Sequence, residues 1–573
     1  MTDIGTYSLR LPRSLKTAVE RLSETAHFFA DRKARADFKT FDKIMKRRGG
    51  ERPRRGDERP GKSGWPAAVI CAAALAILRV SLLPLYTDFS RGFTHDSAYI
   101  AIVARNLIHG KGWVNDASWL VFLHPARLPM PYRNANPLYP LSTAVAAATL
   151  RLPVARAGLL IAALASAILL LSVFFLVSHF LKRPAAAVVV AVAVAVFPGL
   201  WEDSLYMIPD SLCLALLVAA LACFVRAERV RYAIAAGVLF SAAWLTRSTA
   251  ALAAPALLVY AFLAWNRRTA ILRLATIGAV ALAIASPWLV YSVHIWGSPF
   301  GSDGSYAMFQ DFYAQAHGGS SDRFWHSPDP PIPPKAGAIF LHALKGIPTV
   351  VRVWLRAGWE DQHIPRAVFV LALLAVAMIF RSRWRDPAPI ASAVFAVTLI
   401  GVFAIKADTV ETRYLAPLTA LAVMWLGCGV ATFIKPLPNS RGSVTSLLAA
   451  CAICAVYIAI QDAALSRQAT AQTTEANWRR DRRTLSATIT HSDPVIVADP
   501  YFYSYDTGAQ ALSIPDSDDA YLIRYMDEYH SRWIMLTNTE IRFWKPAWQT
   551  QLPAWLRVRA RLDEGILLER QPS

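Results

Sequence analysis

Charged side chains between long apolar runs are the residues of this sequence that could do chemistry. Two are acids, Asp96 and Asp210, and two are guanidiniums, Arg133 and Arg413. A carboxylate within hydrogen-bond reach can take a proton from a hydroxyl group, and arginine stabilises a phosphate that gains negative charge. Charges beside hydrocarbon are costly and tend to mark a function. The set suits chemistry on a lipid-anchored anionic group at a membrane surface.

Each of these charged residues also has a purely structural interpretation. Asp96 and Asp210 stand where helices are predicted to begin, so either could be an N-cap. Glu202 and Asp203 could form a solvated turn, and the Arg413 side chain could extend to the membrane interface from the end of a helix. Residue type alone leaves both interpretations open.

The long polar and aromatic stretch Thr87–Pro153 positions the first of these residues. Beyond Asp96, side chains from Tyr99 to Leu107 repeat at helical spacing, which predicts a helix lying along a surface. The apolar run Leu138–Leu150 is too short to cross a bilayer comfortably, so we expect it to lie in the interface. The whole stretch then stays on one side of the membrane.

Composition and charge identify a polytopic membrane protein. The chain has 573 residues, of which 55% are hydrophobic and 17% charged, and the apolar residues are blocked into long runs. Its net charge of +20 gathers in short loops and in residues 1–64, which hold 17 Lys and Arg against 9 Asp and Glu. This placement indicates topology and contact with membrane lipids, and it argues against nucleic acid as a partner.

Eleven spans are predicted, with the basic tail in the cytoplasm and the C-terminus outside. A twelfth span at Leu138–Leu150 would invert the later loops and place their basic clusters outside. We also expect a break at Pro287 and an amphipathic helix, Ala338–Trp359, flat on the membrane. The predicted spans are Pro66–Tyr86, Arg156–Leu181, Ala185–Leu200, Ser211–Phe224, Tyr232–Leu245, Thr249–Trp265, Ile271–Tyr291, Pro365–Phe380, Ala388–Ile405, Tyr414–Ile434 and Val444–Ile460.

The pattern divides the chain into a basic cytoplasmic tail (1–64), a transmembrane domain (65–467, with its first outer loop at 87–153) and an extracytoplasmic α/β domain (468–573). In the last region VIVAD, ALSIP and RWIMLT read as strands, DDAYLIRYMDEYH reads as a helix, and GILLER is a further candidate strand. All six cysteines fall in apolar runs, so no disulfide framework is expected.

Several motifs resemble the membrane glycosyltransferases of the GT-C fold, over about Pro66 to Arg570. THDSAYIAIVARNLIHGKGW and NPLYPL look like the first outer loop of the branch that holds the protein O-mannosyltransferases and the aminoarabinose transferase of lipid A. LYMIPDSL, AAWLTRSTA, SPWLVYSVHIWGSPF, ETRYLAPL and DPVIVADPYFYSYDTGAQALSIP are similar to later elements of that branch. The branch often has Asp-Glu after the first span, whereas His95-Asp96-Ser97 offers one acid.

The resemblance implies a GT-C-like helix bundle that transfers a sugar, with inversion, from a polyprenyl-phosphate donor to an envelope lipid, lipopolysaccharide or polysaccharide. The location implied is the outer face of a bacterial inner membrane. Asp96 is then expected to be the catalytic base, Asp210 to orient donor or acceptor, and Arg133 and Arg413 to bind the donor phosphate. Supporting roles are expected for His95, Tyr99, Asn134, Arg247 and Glu411.

No obligatory cofactor is expected, because no DxD motif occurs near Asp203 or Asp210; a divalent metal is the alternative that the sequence leaves open. Two other functions also stay open. A transporter or flippase of a lipid-linked sugar predicts inverted repeats and acids at the membrane midplane, whereas the acids here cluster in outer loops. A non-catalytic scaffold that binds glycans is the second alternative.

Overall fold

The computed structural model describes residues 65–86, 94–134, 136–316, 323–330, 333–356, 386–433, 493–561 and 565–571, with a few positions in 483–489. The basic tail and the predicted spans Pro365–Phe380 and Val444–Ile460 lie outside the described residues. The described chain forms a bundle of apolar helices with a small α/β domain packed on one end. This confirms the predicted fold class.

The bundle and its outer loops contain α-helices and short 3-10 segments. The 3-10 segments are Val121–Leu123, Ser248–Ala253, Ala404–Thr409 and Thr412–Leu415. The helices are α1 (Trp65–Tyr86), α2 (His95–Ile108), α3 (Leu138–Leu150), α4 (Val154–Leu181), α5 (Pro184–Ala195), α6 (Pro198–Asp203), α7 (Asp210–Phe224), α8 (Val230–Thr246), α9 (Ala254–Ala264), α10 (Arg267–Trp296), α11 (Asp303–Ala307), α12 (Gln310–Ala316), α13 (Arg323–His326), α14 (Ala336–Leu355), α15 (Pro387–Phe403) and α16 (Ala416–Phe433).

Helix α2 begins with a capping box. Thr94 is the N-cap, and its hydroxyl accepts from the Ser97 backbone N–H at 3.3 Å while the Ser97 hydroxyl accepts from the Thr94 N–H at 2.9 Å. The structural interpretation of Asp96 as the N-cap is therefore wrong, since Thr94 has that role. The Asp96 carboxylate is left to other partners.

Helix α10 continues through Pro287, where a break was expected. Proline cannot donate to the carbonyl of Ala283 one turn earlier. The hydroxyl of Ser286 donates to that carbonyl at 2.9 Å instead, so the orphaned acceptor keeps a partner. The helix ends at Gly297, whose φ of 67° is the left-handed conformation favoured at a C-cap.

Five described helical stretches are long and apolar enough to cross a membrane, and six shorter apolar helices accompany them. The chain is therefore a multi-pass membrane protein, but the count of eleven spans stays a prediction. The five stretches are Val154–Leu181, Arg267–Trp296, Ala336–Leu355, Pro387–Thr409 and Thr412–Ala431. The third of these is the helix expected to lie flat, and its length would also suffice for a crossing.

Glycine allows a close contact in the bundle between α14 and the segment Ala404–Thr409. A Cβ atom on Gly346 would lie 2.3 Å from the Ala404 carbonyl oxygen. Small residues let helix backbones approach in this way inside membranes, where packing rather than the hydrophobic effect drives association. The contact fixes α14 beside a segment that reaches the candidate site.

The α/β domain contains a six-stranded sheet. Its strands, in their order across the sheet, are β2 (Ala117–Ser118), β5 (Ala511–Ser513), β4 (Val495–Val497), β6 (Trp533–Thr537), β8 (Gly565–Arg570) and β7 (Leu556–Arg561). Its central strands are parallel, and the last two strands are antiparallel to their neighbours. A separate antiparallel pair, β1 (Val114–Asn115) with β3 (Met130–Pro131), lies in the first outer loop. The helical elements of the domain are α17 (Pro500–Thr507), α18 (Asp519–Glu528), α19 (Asn538–Trp544) and a 3-10 turn at Pro546–Gln549.

The edge strand β2 belongs to the first outer loop and not to the C-terminal region. Ala117 stands opposite Ala511 in a parallel pair, and the Ala511 N–H donates to the Asp116 carbonyl at 3.1 Å. Arg105 of α2 adds an ion pair to Asp116 at 3.2 Å and reaches the Ser504 carbonyl of α17 at 3.3 Å. The loop and the α/β domain thus hold each other in place, and the predicted domain boundary near residue 467 stays a prediction.

Candidate active site

A cavity of about 1470 Å³ opens between the helix bundle and the α/β domain. Its wall includes the start of α2, residues 299–310, the segments Ala404–Thr409 and Thr412–Leu415, and α19 of the α/β domain. Charged and aromatic side chains both face the cavity, so it can hold a ligand with polar and apolar parts.

An ion pair between Asp96 and Arg413 stands on the cavity wall. Asp96 Oδ2 and Arg413 Nη1 are 2.7 Å apart, and the Asp96 side chain is 49% exposed, toward the cavity that it lines. Glu411 accepts from Arg413 Nε through one oxygen and from the Tyr414 hydroxyl through the other, at 2.9 Å. Burial disfavours the charged carboxylate, but Arg413 and Arg247 outweigh it and hold the pKa of Asp96 below its usual range.

A second ion pair, between Asp210 and Arg247, lies beside the first, because both arginines contact the ring of Tyr414. Asp210 Oδ2 is 2.6 Å from Arg247 Nη1, and the two side chains are only 4% and 16% exposed. Arg247 lines the cavity, whereas Asp210 does not. Asp210 therefore reaches the cavity only through Arg247, and its predicted role in orienting the donor or the acceptor stays a prediction.

Three cations surround the ring of Tyr414. The Arg247 and Arg413 guanidiniums lie 4.6 Å and 5.3 Å from the ring centroid, and the Lys406 ammonium lies 5.3 Å from it. All three cations line the cavity, although Lys406 is 93% buried. No site role was predicted for Lys406 or Tyr414, because nothing in their spacing places them beside Arg247. Arginine and lysine donors that face a cavity together can bind an anion, although both guanidiniums here are also paired with carboxylates.

Arg133 was expected to join Arg413 at the phosphate, and the structure does not bring the two together. Arg133 does not line the cavity; its guanidinium lies 5.2 Å from the ring centroid of Trp296. Its carbonyl accepts from the Asp303 N–H at 2.9 Å, so its backbone supports a cavity-lining loop. The phosphate role of Arg133 stays a prediction, and Lys406 and Arg247 are better placed for it.

The five residues expected to have supporting roles all line the cavity. Asn134 is fixed there because its side-chain oxygen accepts from the Asn136 amide at 3.0 Å. His95 contacts the carboxylate of Asp499 on the α/β domain. The five are His95, Tyr99, Asn134, Arg247 and Glu411.

Two further acids, Glu202 and Asp203, end the short helix α6 and line the cavity. They are half-buried and stand at the end of a helix rather than in a turn. Burial, followed by the nearby charges of Asp210 and Glu202, raises the pKa of Asp203 well above its usual range. Among the described residues, no group of three or more His, Cys, Asp or Glu side chains could hold a metal ion.

An aromatic wall continues from the charged cluster toward the α/β domain. The Tyr99 ring lies 5.5 Å from the ring of Tyr132 and 4.9 Å from that of Tyr501, and Tyr501 lies 5.4 Å from Trp119. Tyr99 was expected to have a supporting role, whereas Tyr501 comes from the α/β domain and was missed. Offset and edge-on rings of this kind offer flat apolar faces to a sugar or a prenyl chain.

Asp303 lines the site but was not predicted from the sequence. It lines the cavity, and its Oδ1 atom is buried without a hydrogen-bond partner among the described residues. Burial raises the pKa of Asp303 to about 8, against the opposing charge of Arg133. A protonated carboxyl group here can both donate and accept a hydrogen bond, and a sugar hydroxyl group can be its partner in either direction.

Fold and site together define a class: multi-pass membrane proteins of the GT-C fold, with a charged cavity between a helix bundle and an α/β domain. Residues 137–291 match the family model of dolichyl-phosphate-mannose-protein mannosyltransferase. No curated protein matches the sequence significantly. The predicted resemblance to GT-C membrane glycosyltransferases is confirmed by this match and by the solved structures that share the fold.

Three solved structures illustrate the likeness, each at 14% sequence identity. ArnT from Cupriavidus metallidurans in the apo state has a TM-score of 0.55, covering 87% of this chain and 98% of that one. The same protein bound to undecaprenyl phosphate has a TM-score of 0.52, covering 89% and 98%. The archaeal oligosaccharyltransferase AglB from Archaeoglobus fulgidus, in complex with an inhibitory peptide and a dolichol-phosphate, has a TM-score of 0.51, covering 83% and 69%.

Proposed function

We propose that this protein is a membrane glycosyltransferase. It moves a sugar from a polyprenyl-phosphate donor to an envelope lipid, lipopolysaccharide or polysaccharide, with inversion at the anomeric carbon. The reaction takes place at the extracytoplasmic face of a bacterial inner membrane, with the N-terminal tail in the cytoplasm and the α/β domain outside. Because polyprenyl phosphates are bound in two structures of similar fold, this class of donor is the best supported.

The observation that carries the proposal is the Asp96–Arg413 pair on the wall of a cavity that also exposes Arg247 and Lys406. Glycosyl transfer from a lipid phosphate releases a phosphate monoester, so its transition state gains negative charge on oxygen and positive charge on the sugar ring. The cations stabilise the negative charge on the phosphate oxygen, and the carboxylate of Asp96 stabilises the positive charge on the sugar ring. The aromatic wall of Tyr99 and Tyr501 offers faces for the sugar.

A strain that lacks the gene tests the proposal. Mass spectrometry of its envelope glycans and lipids is expected to show the loss of one sugar modification, which the wild-type gene restores. The Asp96→Asn variant, expressed at the same level, is expected not to restore it. The matched control is Asp527→Asn, which breaks an exposed Asp–Arg pair with Arg570 on the α/β domain and should restore the modification.

The same experiment separates the enzyme from its alternatives. A flippase or a glycan-binding scaffold needs no ionised carboxylate at Asp96 for chemistry, so Asp96→Asn would restore the modification fully. That result would contradict the proposal.

A further inference from the structure

We propose that His95, held by Asp499 of the α/β domain, takes the proton from the acceptor hydroxyl during sugar transfer. The inference rests on the proposed function and names one catalytic residue and one positioning residue within it. The sequence analysis gave the role of base to Asp96 and only a supporting role to His95.

The Asp499 carboxylate is fixed by the start of a helix. Asp499 is the N-cap of α17, and its Oδ1 accepts from the Phe502 N–H at 3.2 Å. Its second oxygen, Oδ2, lies 2.5 Å from His95 Nδ1. A carboxylate anchored in this way orients an imidazole and stabilises the imidazolium once a proton arrives.

Two aromatic rings fix the plane of the His95 imidazole. The ring of Trp119 lies 4.7 Å away and that of Phe502 lies 4.8 Å away. The His95 side chain is nevertheless 52% exposed and lines the cavity. Because Nδ1 faces Asp499, the nitrogen that exchanges a proton with a ligand is Nε2.

Asp96 is less suited to take the proton, although it is the next residue on the same helix turn. Its carboxylate is engaged by Arg413 at 2.7 Å, which lowers its pKa and weakens it as a base. Among the described residues, the charged groups beside His95 include Asp499 from the α/β domain and Asp96 from its own helix, and Asp96 in turn pairs with Arg413. Asp96 and Arg413 then stabilise the charges of the transition state, Asp96 on the sugar ring and Arg413 on the phosphate.

The proposed step is a direct displacement at the anomeric carbon. The acceptor hydroxyl oxygen forms a bond to the anomeric carbon as the bond from that carbon to the phosphate oxygen breaks. The bonding pair leaves with the phosphate, which Arg413 and Arg247 stabilise, and the hydroxyl proton passes to His95 Nε2. The imidazolium, stabilised by Asp499, later returns the proton to water.

A pH–rate profile of full-length protein in liposomes tests this role. The probe is a total lipid extract from the deletion strain, and mass spectrometry follows the polyprenyl phosphate that is released. The wild-type rate is expected to fall in acid, where imidazoles gain their proton. His95→Asn keeps a donor near the position of Nδ1 but removes Nε2, so the saturated rate should fall about 100-fold or more with little change in KM.

Asp499→Asn adds a readout that a purely structural contact would not give. Loss of the carboxylate destabilises the imidazolium, so the acid limb should move to lower pH while the rate falls less than in His95→Asn. The matched control is His124→Asn, because His124 also faces a carboxylate, Glu528 at 3.5 Å, but does not line the cavity. It should behave as wild type.

A wild-type rate and profile in His95→Asn would overturn the inference, and so would an unmoved acid limb in Asp499→Asn. The second variant decides the matter if the first fails to fold. Failure of the inference is distinguishable from failure of the proposed function. If Asp96→Asn and Arg413→Ala abolish transfer while His95→Asn does not, only the inference fails, and if the deletion strain lacks no modification, the proposed function fails.

Discussion

Asp96 comes early in the sequence of the helix bundle and Arg413 comes late, yet Asp96 Oδ2 and Arg413 Nη1 lie 2.7 Å apart on the cavity wall. Arg413 stands in a 3-10 turn before α16, and Asp96 stands in the first turn of α2. The pair joins the first outer loop to the late bundle at the site where the chemistry is proposed.

Loss of this pair should remove activity more than stability. Arg413→Ala is expected to lower the rate of sugar transfer by about 10²–10³-fold, the usual cost of one charge-stabilising donor. Arg413→Lys should recover part of this, because an ammonium keeps the charge but not the two-pronged geometry. The measurement is release of polyprenyl phosphate in liposomes. An Arg413→Ala variant with the wild-type rate would remove Arg413 from the site.

The buried pair of Asp210 and Arg247 should behave differently. Asp210→Ala leaves a largely buried guanidinium without its partner and is expected to cost about 3 kcal/mol of stability. The double variant Asp210→Ala, Arg247→Leu should recover much of the thermal stability in detergent but not the sugar transfer. Recovery of both would show that the pair only stabilises the fold.

The raised pKa of Asp303 predicts that the stability of the folded protein depends on pH. Burial raises its pKa to about 8, so the folded protein keeps the proton that the unfolded chain loses near pH 4. Stability from this group is full below about pH 4 and is lost as pH rises through about 8. Asp303→Asn should therefore raise the melting temperature relative to wild type at pH 8.5, and much less at pH 5.

The control for this pH series is Asp329→Asn, because Asp329 is an exposed acid of the same outer loop. Its melting temperature should follow wild type at both pH values. An Asp303→Asn variant that melts below wild type at pH 8.5 would show that its charged form is stabilised.

The close contact between Gly346 and Ala404 gives a prediction about packing. A Val side chain at Gly346 would need the Ala404 carbonyl to move, since even the Cβ would lie 2.3 Å from it. Gly346→Val should lower the melting temperature and disturb the position of Lys406, two residues beyond Ala404. Gly337→Val, on the same helix with open space at its Cβ, is the control. Equal melting temperatures for the two variants would contradict the contact.

The sequence predicted much of the local structure. Apolar runs gave helices close to their observed bounds, because a run of that length and composition can satisfy its backbone in a membrane only as a helix. Alternation and turn residues predicted strands at Val495–Val497, Ala511–Ser513 and Trp533–Thr537. Strand β7 was missed, although its sequence LRVRAR alternates apolar and basic residues as a half-exposed strand does.

The order of motifs along the chain also pointed to the site. Asp96 and Arg413 follow from residue type and from their place beside apolar runs, and both line the cavity. The same reasoning chose Arg133, which packs on Trp296 instead. Position in an outer loop says that a charge is near the membrane surface, but not which way it points.

What the sequence by itself determined is the membrane class, the helices and a set of charges, because these depend on neighbours along the chain. Tertiary structure alone decided that Lys406, Arg247 and Arg413 surround Tyr414, and that Asp499 reaches His95. These contacts join elements far apart in sequence, and their distances depend on how helices and strands pack. No periodicity within one element records that packing.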